Sequence, residues 1–480
     1  MKGAAQAFAS AAQNARAAAR VVSSPIIVTP VRTASERQSL LLGLMVWTLI
    51  VLMVVPEGFD YSTLDSENAP ESGGFISRLM WFGLLSGSLI MVALRGSAAW
   101  RLVRSMNVFL LAFVLLAAAS TLWSIEPTVT MRRTVRIVTM LSVAIAFAMS
   151  AWHAQRFQNV LRPIITAVLA ASLAFGIAYP EFAIHQDGDE ILIGAWRGLA
   201  NHKNGLGSIA CLGIILWFHA WLSREVRLLP ALVGIGLASV CLILSRSSTA
   251  LVVTAFSLLF LTMLLRSPSV LRRSMPYLIL LFVGALLVYS LVLLQILPGL
   301  SVLQSPISAI TGKDMTLTGR SEIWNIITAH IQMRPWLGTG YGAYWTGAYE
   351  GAASYDFMTL LNFYPGSAHN GYLEIVNDLG TVGLLVLLGY LALFSKQSVE
   401  LLRGDRAQAA LLLALFMQQA ITNLSESRWL SALSVDFVVM TLATTSLARA
   451  RLEQRQREKS GSEPDPRTRA AQDLRALSYR

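Results

Sequence analysis

Residues 366–380 read GSAHNGYLEIVNDLG, and the next fourteen, 381–394, read TVGLLVLLGYLALF. The second half is apolar enough for a bilayer, yet the run opens on His369, Asn370, Glu374, Asn377 and Asp378. On a helix beginning near residue 370, Asn370, Glu374 and Asn377 or Asp378 fall at i, i+4 and i+7 or i+8, so they share one face. Ionisable residues in a membrane usually face a bundle interior or a watery cavity. The stretch therefore predicts a spanning helix whose entrance is part of a polar site.

The rest of the chain supplies the bundle. Of 480 residues, 55% are hydrophobic and only 14% charged, against roughly a quarter charged in soluble domains. Apolar runs recur at 40–56, 76–94, 107–123, 135–151, 161–178, 205–222, 228–244, 249–265, 276–297, 370–394, 407–423 and 429–447. A spanning helix needs about 20 such residues. The pattern predicts an all-α polytopic membrane protein with about 12 transmembrane helices. The expected layout is a basic tail over 1–37, a membrane domain over 38–447 and a charged tail over 448–480.

The net charge of +11 does not point to nucleic acid, because of where it lies. Lys and Arg gather in the tails and in the loops near 95–104, 156–162, 224–227, 266–273 and 396–406. Alternate loops are poorer in them, and 57–75 is acidic. That is the positive-inside pattern, and it predicts two cytoplasmic termini. Residues 1–37 lack the order of a signal peptide. No internal repeat suggests a transporter built from duplicated halves. Cys211 and Cys241 lie in apolar runs and have no metal-ligand spacing.

The longest polar interruption, 298–368, falls on the predicted outer face between spans nine and ten. Loops this long are usually functional or disordered. This one carries LTGRSEIWNIITAHIQMRPWLGTGYGAYW over 317–345, with helical spacing from Ile323 to Ile331 and Pro335 as a stop. It predicts a folded cap with one or two short helices. The other outer segments are 179–204 and the turn at 244–250.

Outer cations run against the topology bias, so each needs a reason. They are Arg132, Arg133, Arg197, Lys203, Arg246, Lys313, Arg320, Arg334 and Arg428. Lipid headgroups or local acids explain many of them. Arg197 and Arg320 stand in Gly-flanked polar clusters, RGLANHKNG and LTGRSEIW. The first also holds Lys203 and Asn204. Guanidinium binds phosphate through paired hydrogen bonds, so both arginines suit a lipid-linked diphosphate. His369 stands at the edge of the polar face, where histidine can take a proton from a hydroxyl or simply cap the helix.

Other chemistry is weaker. GTGYG at 338–342 lacks the GK[ST] ending of a phosphate loop. Tyr341, Tyr344, Trp345 and Tyr349 suit either sugar stacking or an interfacial aromatic belt. No histidine pair or acidic cluster has metal-site spacing, so neither metal nor cofactor is expected. Glu322 reads as a helix cap and Asp436 as a buried polar contact.

RGLANHKNGLG (197–207), LTGRSEIW (317–324), RPWLGTGYGAYW (334–345) and SAHNGYLEIVNDLGTVGLL (367–385) together resemble the O-antigen ligase and Wzy-type polysaccharide polymerase superfamily of bacterial inner membranes. The likeness covers about residues 100–445 and is nearer the exopolysaccharide branch, with Asn377–Asp378 a departure from the usual pattern. It implies metal-independent glycosyl transfer on the periplasmic face. An undecaprenyl diphosphate-linked oligosaccharide would be the donor, a sugar hydroxyl the acceptor. The resemblance makes His369 the base and Arg197 and Arg320 the diphosphate ligands. Lys203, Asn204, Asn370, Glu374 and Tyr341 are the further substrate-binding candidates. Membrane lipids, a chain-length regulator and a flippase are the implied partners. The alternatives are a ligase acting on lipid A core or another acceptor, and, from a different class, a lipid-linked sugar transporter. A transporter would place polar residues along a mid-membrane path, whereas here they gather at one face.

Overall fold

The computed structural model describes residues 32–56, 74–150, 156–186, 192–266, 320–347 and 349–460, with isolated positions between 274 and 288. The basic tail to residue 31, the acidic stretch 57–73, loop residues 298–319, the tail from 461 and most of the expected span at 276–297 lie outside the described residues. Residues 1–41 separate as a compact unit of their own, described only at the start of its helix. The second unit begins at Leu42 and holds all the later helices.

In chain order the helices are α1 (Arg32–Val54), α2 (Phe75–Ala93), α3 (Gly96–Ser105), α4 (Val108–Ala119), α5 (Pro127–Ser150), α6 (Arg156–Ala178), α7 (Pro180–Ala183), α8 (Lys203–Leu222), α9 (Leu228–Leu244), α10 (Ser248–Arg266), α11 (Arg320–Met333), α12 (Asp356–Leu361), α13 (Gly371–Leu401), α14 (Arg406–Thr422) and α15 (Val435–Ser460). Among the described residues there is no regular strand, only one bridge between Ile184 and Trp196. A helix meets its own backbone hydrogen bonds, which is what a bilayer demands.

Five described helices are long and apolar enough to cross a membrane, or six if α3 and α4, bent by 102°, count as one span. α1 and α9 carry shorter apolar stretches. The helices at the remaining expected spans are more polar, because they sit inside the bundle. α5 buries Thr130 and Thr134, α14 buries Gln418 and Gln419, and α15 buries Thr441, Thr444 and Thr445. Such groups are tolerated when they are paired. Tyr390 and Thr444 hydroxyls meet at 2.9 Å, and Gln158 donates to Gln408 at 2.9 Å. Of these five, α8 is the most enclosed, with 78% of its apolar window buried against 22% for α2. α2 turns Leu79, Phe82 and Ile90 outward, as a lipid-facing helix would.

The connection at α3 has a clear cause. Asn107 caps α4, accepting from the Phe109 N–H, and its amide donates to the Tyr390 carbonyl inside the bundle. That anchor fixes where the chain turns. α3 keeps Ala99 and Leu102 buried and sets Arg104 over the exposed Trp100 ring at 4.5 Å, the make-up of an interfacial helix.

α13 is two helices joined across a kink. Gly380 has φ 66° and ψ −165°, a conformation open to glycine and strained for other residues. The break is filled by the RPWLGTG segment. Thr339 and Gly340 N–H groups donate to the Asn377 and Asp378 carbonyls at 2.9 Å each. Thr381 and Val382 N–H groups donate to the Pro335 and Trp336 carbonyls at 2.8 and 3.3 Å. Kinks of this kind need a partner for the freed backbone, and here a strap of chain supplies it. A Cβ on Gly338 would come within 2.6 Å of the Asn377 and Asp378 carbonyls, so GTGYG is a close-packing device. α11 and α12 are tied together by His330, which accepts from the Tyr344 hydroxyl and meets Asp356 at 3.2 Å.

Candidate functional site

The first turns of α8, α11, α13 and α15 and the end of α14 meet at one end of the bundle. The organiser is the polar turn after α14. Asn423 Oδ1 accepts from the Arg428 and Trp429 N–H groups at 2.8 and 2.6 Å, folding residues 423–429 back on themselves. The Asn423 carbonyl then accepts from Gly371 N–H at 2.9 Å, and the Asn370 N–H donates to Ser427 Oγ at 3.2 Å. A Cβ on Gly371 would lie 2.0 Å from Asn423 Oδ1, which is why Asn-Gly opens α13.

Glu426, on this turn, is the centre of the site. Its Oε1 accepts from Asn204 Nδ2 at 2.7 Å and from Arg320 Nη2 at 3.1 Å. Asn204 Oδ1 in turn accepts from Ser247 Oγ at 3.0 Å. Lys203 lies within electrostatic reach of Arg246, Glu426 and Arg320. His369 senses Glu426, Arg320 and Arg428. Arg428 also pairs with buried Asp436 at 3.1 Å. The cluster thus gathers several cations around one carboxylate, beside the N-terminus of the 20-residue α8, whose first N–H groups are already taken by His185 and His202.

His369 itself is half-buried and has φ 48°, directly before the Asn370 cap. Burial holds its imidazole below the ordinary 6.5; Glu426 opposes that shift, and Arg320 and Arg428 reinforce it. The ring faces the Pro365 carbonyl, while Nδ1 is enclosed and has no partner. A neutral imidazole with an unused ring nitrogen has the chemistry of a base. His202 and His185 explain the HKN motif differently. His202 Nδ1 accepts from Asn204 N–H and His185 Nε2 from Lys203 N–H, both at 3.3 Å, with the two rings 5.1 Å apart. Burial, then His185, His369, Lys203 and Arg428, push His202 down to about 3, so it caps α8 as a neutral acceptor.

The structure brings Arg320, Lys203, Asn204 and His369 together. The other candidates have different surroundings. Arg197 is 1% exposed and its Nε donates to the Phe182 carbonyl at 2.7 Å. It ties Phe182 and Ala183 to the start of the RGLANHKNG segment, Arg197 and Gly198 N–H groups donating to the Ala183 carbonyl at 2.8 and 3.0 Å. Asn370 is fully buried as the cap of α13, its Oδ1 accepting from Tyr372 and Leu373 N–H groups. It shapes the helix start and presents no exposed surface. Glu374 Oε2 accepts from Ala368 N–H at 2.7 Å, closing the turn that carries His369. The Tyr341 hydroxyl donates to the Leu430 carbonyl, and its ring packs edge-on against Phe113. Asp436 is a buried polar contact, held by Ser208 at 3.0 Å. Glu426 escaped the sequence reading because a lone acid in a polar turn has no spacing signal.

The Ser367 end of α13's entrance, Glu374, Asp378, Arg133 and residues 426–429 and 431–434 also line a cavity of about 230 Å³. Glu426 borders this cavity and a small crevice beside Asn204 and Ser208.

The class these observations define is a multi-pass helical membrane protein with a cation-lined polar site at one end of its bundle. Residues 231–388 match the family model described as O-antigen ligase, a stretch that includes Arg320 and His369. The chain is similar to the exopolysaccharide production protein ExoQ of Rhizobium meliloti (strain 1021), 29% identical over 317 residues, covering 64% of this chain and 68% of that protein. Together the two findings support the chain as a member of the O-antigen ligase/Wzy-type family.

Proposed function

We propose that this protein is a polysaccharide polymerase of the bacterial inner membrane, joining undecaprenyl diphosphate-linked oligosaccharide units on the periplasmic face. The observation that carries the reading is the cluster of Arg320, Lys203, Asn204 and His369 around Glu426. An acceptor hydroxyl attacks the anomeric carbon of the donor sugar, and the bond to the lipid diphosphate breaks. The hydroxyl proton goes to His369, and the diphosphate leaves as an anion. Such a leaving group needs charge stabilisation more than protonation. Arginine and lysine fixed in a poorly hydrated site provide it, and the base adds a smaller factor, on the order of 10²–10⁴.

In the resting site Glu426 holds Arg320 and Asn204 in place. The diphosphate takes over Arg320 on binding, so the cations need not reorganise. The orientation follows from the charges of the other end of the bundle. Arg162, Arg224, Arg227, Arg266, Arg403 and Arg406 stand at or beside the ends of α6, α8, α9, α10, α13 and α14 remote from Glu426, which suits a cytoplasmic face and leaves the site outside. A ligase would use the same chemistry with another acceptor, and the family description favours that second reading, whereas the name of the Rhizobium relative favours the first.

The test is polymer formed per mole of purified, monodisperse protein supplied with undecaprenyl diphosphate-linked units. Arg320→Lys should fail to restore wild-type output, because ammonium lacks the two-pronged geometry. Arg320→Ala should lose about 3 kcal/mol of transition-state stabilisation, roughly two orders of magnitude in rate. Wild-type output from Arg320→Ala rejects the site, and transfer only to lipid A core selects the ligase.

A further inference from the structure

The cavity behind Glu426 has no role in the proposed transfer. Its volume, about 230 Å³, is several times the ~30 Å³ that one water occupies in the liquid. Its wall is polar in an unusual way. Asp378 is 4% exposed, with Oδ2 held by Gly342 N–H at 2.8 Å and Oδ1 without a partner. Trp429 is also 4% exposed, and its indole Nε1 has no partner either. Arg428, which lines the cavity as well, carries a third unpartnered polar atom, its Nε. Buried polar groups are nearly always paired, so unpaired ones call for an account. Three such atoms belong to residues of two elements that line one cavity, which suits it to a hydrogen-bonding molecule.

The lining also says what that molecule is. Glu374, Asp378 and Glu426 line the cavity together with Arg133 and Arg428, so neither a cation nor an anion meets a field of one sign. Acceptors, donors and the two-way hydroxyls of Ser431 and Ser434 alternate. Tyr341 and Trp429 add flat apolar walls. A ligand with a hydroxyl on nearly every carbon and an apolar ring face fits this; a lipid chain does not. The geometry points to a binding site for one neutral pyranose ring of the glycan substrate, with Asp378 and Trp429 as its specificity-determining contacts. This rests on the proposed glycosyl transfer only for the source of the ring, since Glu426 separates the cavity from the Asn204 side of the site.

The probe is the mixture of methyl glycosides released by methanolysis of the host's own exopolysaccharide. It is offered to the purified full-length protein and read by saturation-transfer NMR. At least one glycoside should give a saturable signal. That signal should fall at least tenfold in Asp378→Asn, which keeps the side chain's shape, and in Trp429→Phe, which removes the indole donor and shortens the side chain but keeps an aromatic ring. Undecaprenyl diphosphate binding, measured on the same samples, should stay within twofold of wild type and so report an intact fold; Trp429→Phe carries the test if Asp378→Asn fails to fold. A cavity that holds only water gives no saturable signal, and that overturns the proposal, as does a signal unchanged in both variants. A glycoside that is itself extended marks the acceptor as the source of the ring; one that inhibits without being extended marks the donor. Loss of undecaprenyl diphosphate binding in wild type sinks the donor reading and leaves the glycoside result standing.

Discussion

His369 carries its backbone at φ 48°, a region that costs most L-residues roughly 1–2 kcal/mol but that Asn tolerates. An alanine there would mix strain with lost chemistry. His369→Asn separates them. Its abundance and thermal midpoint should match wild type, while polymer per mole drops on the order of a hundredfold or more, the usual weight of a general base; near-normal turnover in this variant would remove the base assignment. Glu426 offers a pH readout. It raises the proton affinity of His369 against the larger effect of burial. A base must be neutral to act, so activity should persist below pH 6.5 and fail only on further acidification. In Glu426→Gln the hydrogen bonds to Asn204 and Arg320 can survive, yet the charge is gone. The acid limb of kcat/KM should then move to lower pH. A limb that stays put, or moves up, would mean Glu426 does not act on His369.

At the scale of elements, the strap and the broken helix stand or fall together. A Cβ on Gly380 would meet the Trp336 carbonyl carbon and oxygen at 2.2 Å, on top of a strained backbone that costs about 1–3 kcal/mol by itself. Gly380→Ala should therefore lower the thermal midpoint and loosen residues 335–340 together with 377–382, seen as faster amide exchange in both segments and in no distant helix. Exchange that rises in only one would separate them. Here the sequence was legible only in part. The polar face of α13 could be read from spacing, and the helix of 320–333 from its periodicity and Pro335. The break could not, because Leu379 and Thr381–Val382 continue the apolar run straight through it. Nor could the burial of Arg197 and Asn370, since residue type and flanking glycines do not reveal which side of a packed segment a side chain takes. The turn that carries Glu426 has no periodicity at all, so its role depends on contacts more than a hundred residues distant in sequence from Arg320.

Across the molecule, polar groups divide between two ends. One end gathers the site. At the other, Arg162 pairs with Glu225 at 3.2 Å and Arg406 reaches the Leu264 carbonyl. The proposed orientation puts the first end outside. Glu350 is exposed in the segment between α11 and α12, so a cysteine there should react with a membrane-impermeant maleimide in whole cells whose outer membrane is leaky. Reaction only after the inner membrane is opened would invert the topology, and with it the compartment of the donor. The order of the helices was legible from the apolar runs; against about twelve expected spans, five or six described helices are long and apolar enough to cross a membrane.

The strap at Gly380 has a consequence for how the chain is made. Residues 335–340 leave the ribosome about forty residues ahead of the carbonyls and amides that they satisfy at 377–382. In the proposed orientation, its partner is already across when the interrupted helix arrives at the translocon. The lipid never has to receive a helix with open backbone groups, a state that would be expensive in hydrocarbon. The same ordering forbids a simple rearrangement: a chain permuted to begin after residue 345 would deliver the break before the segment that closes it, and would be exposed to quality control at that point.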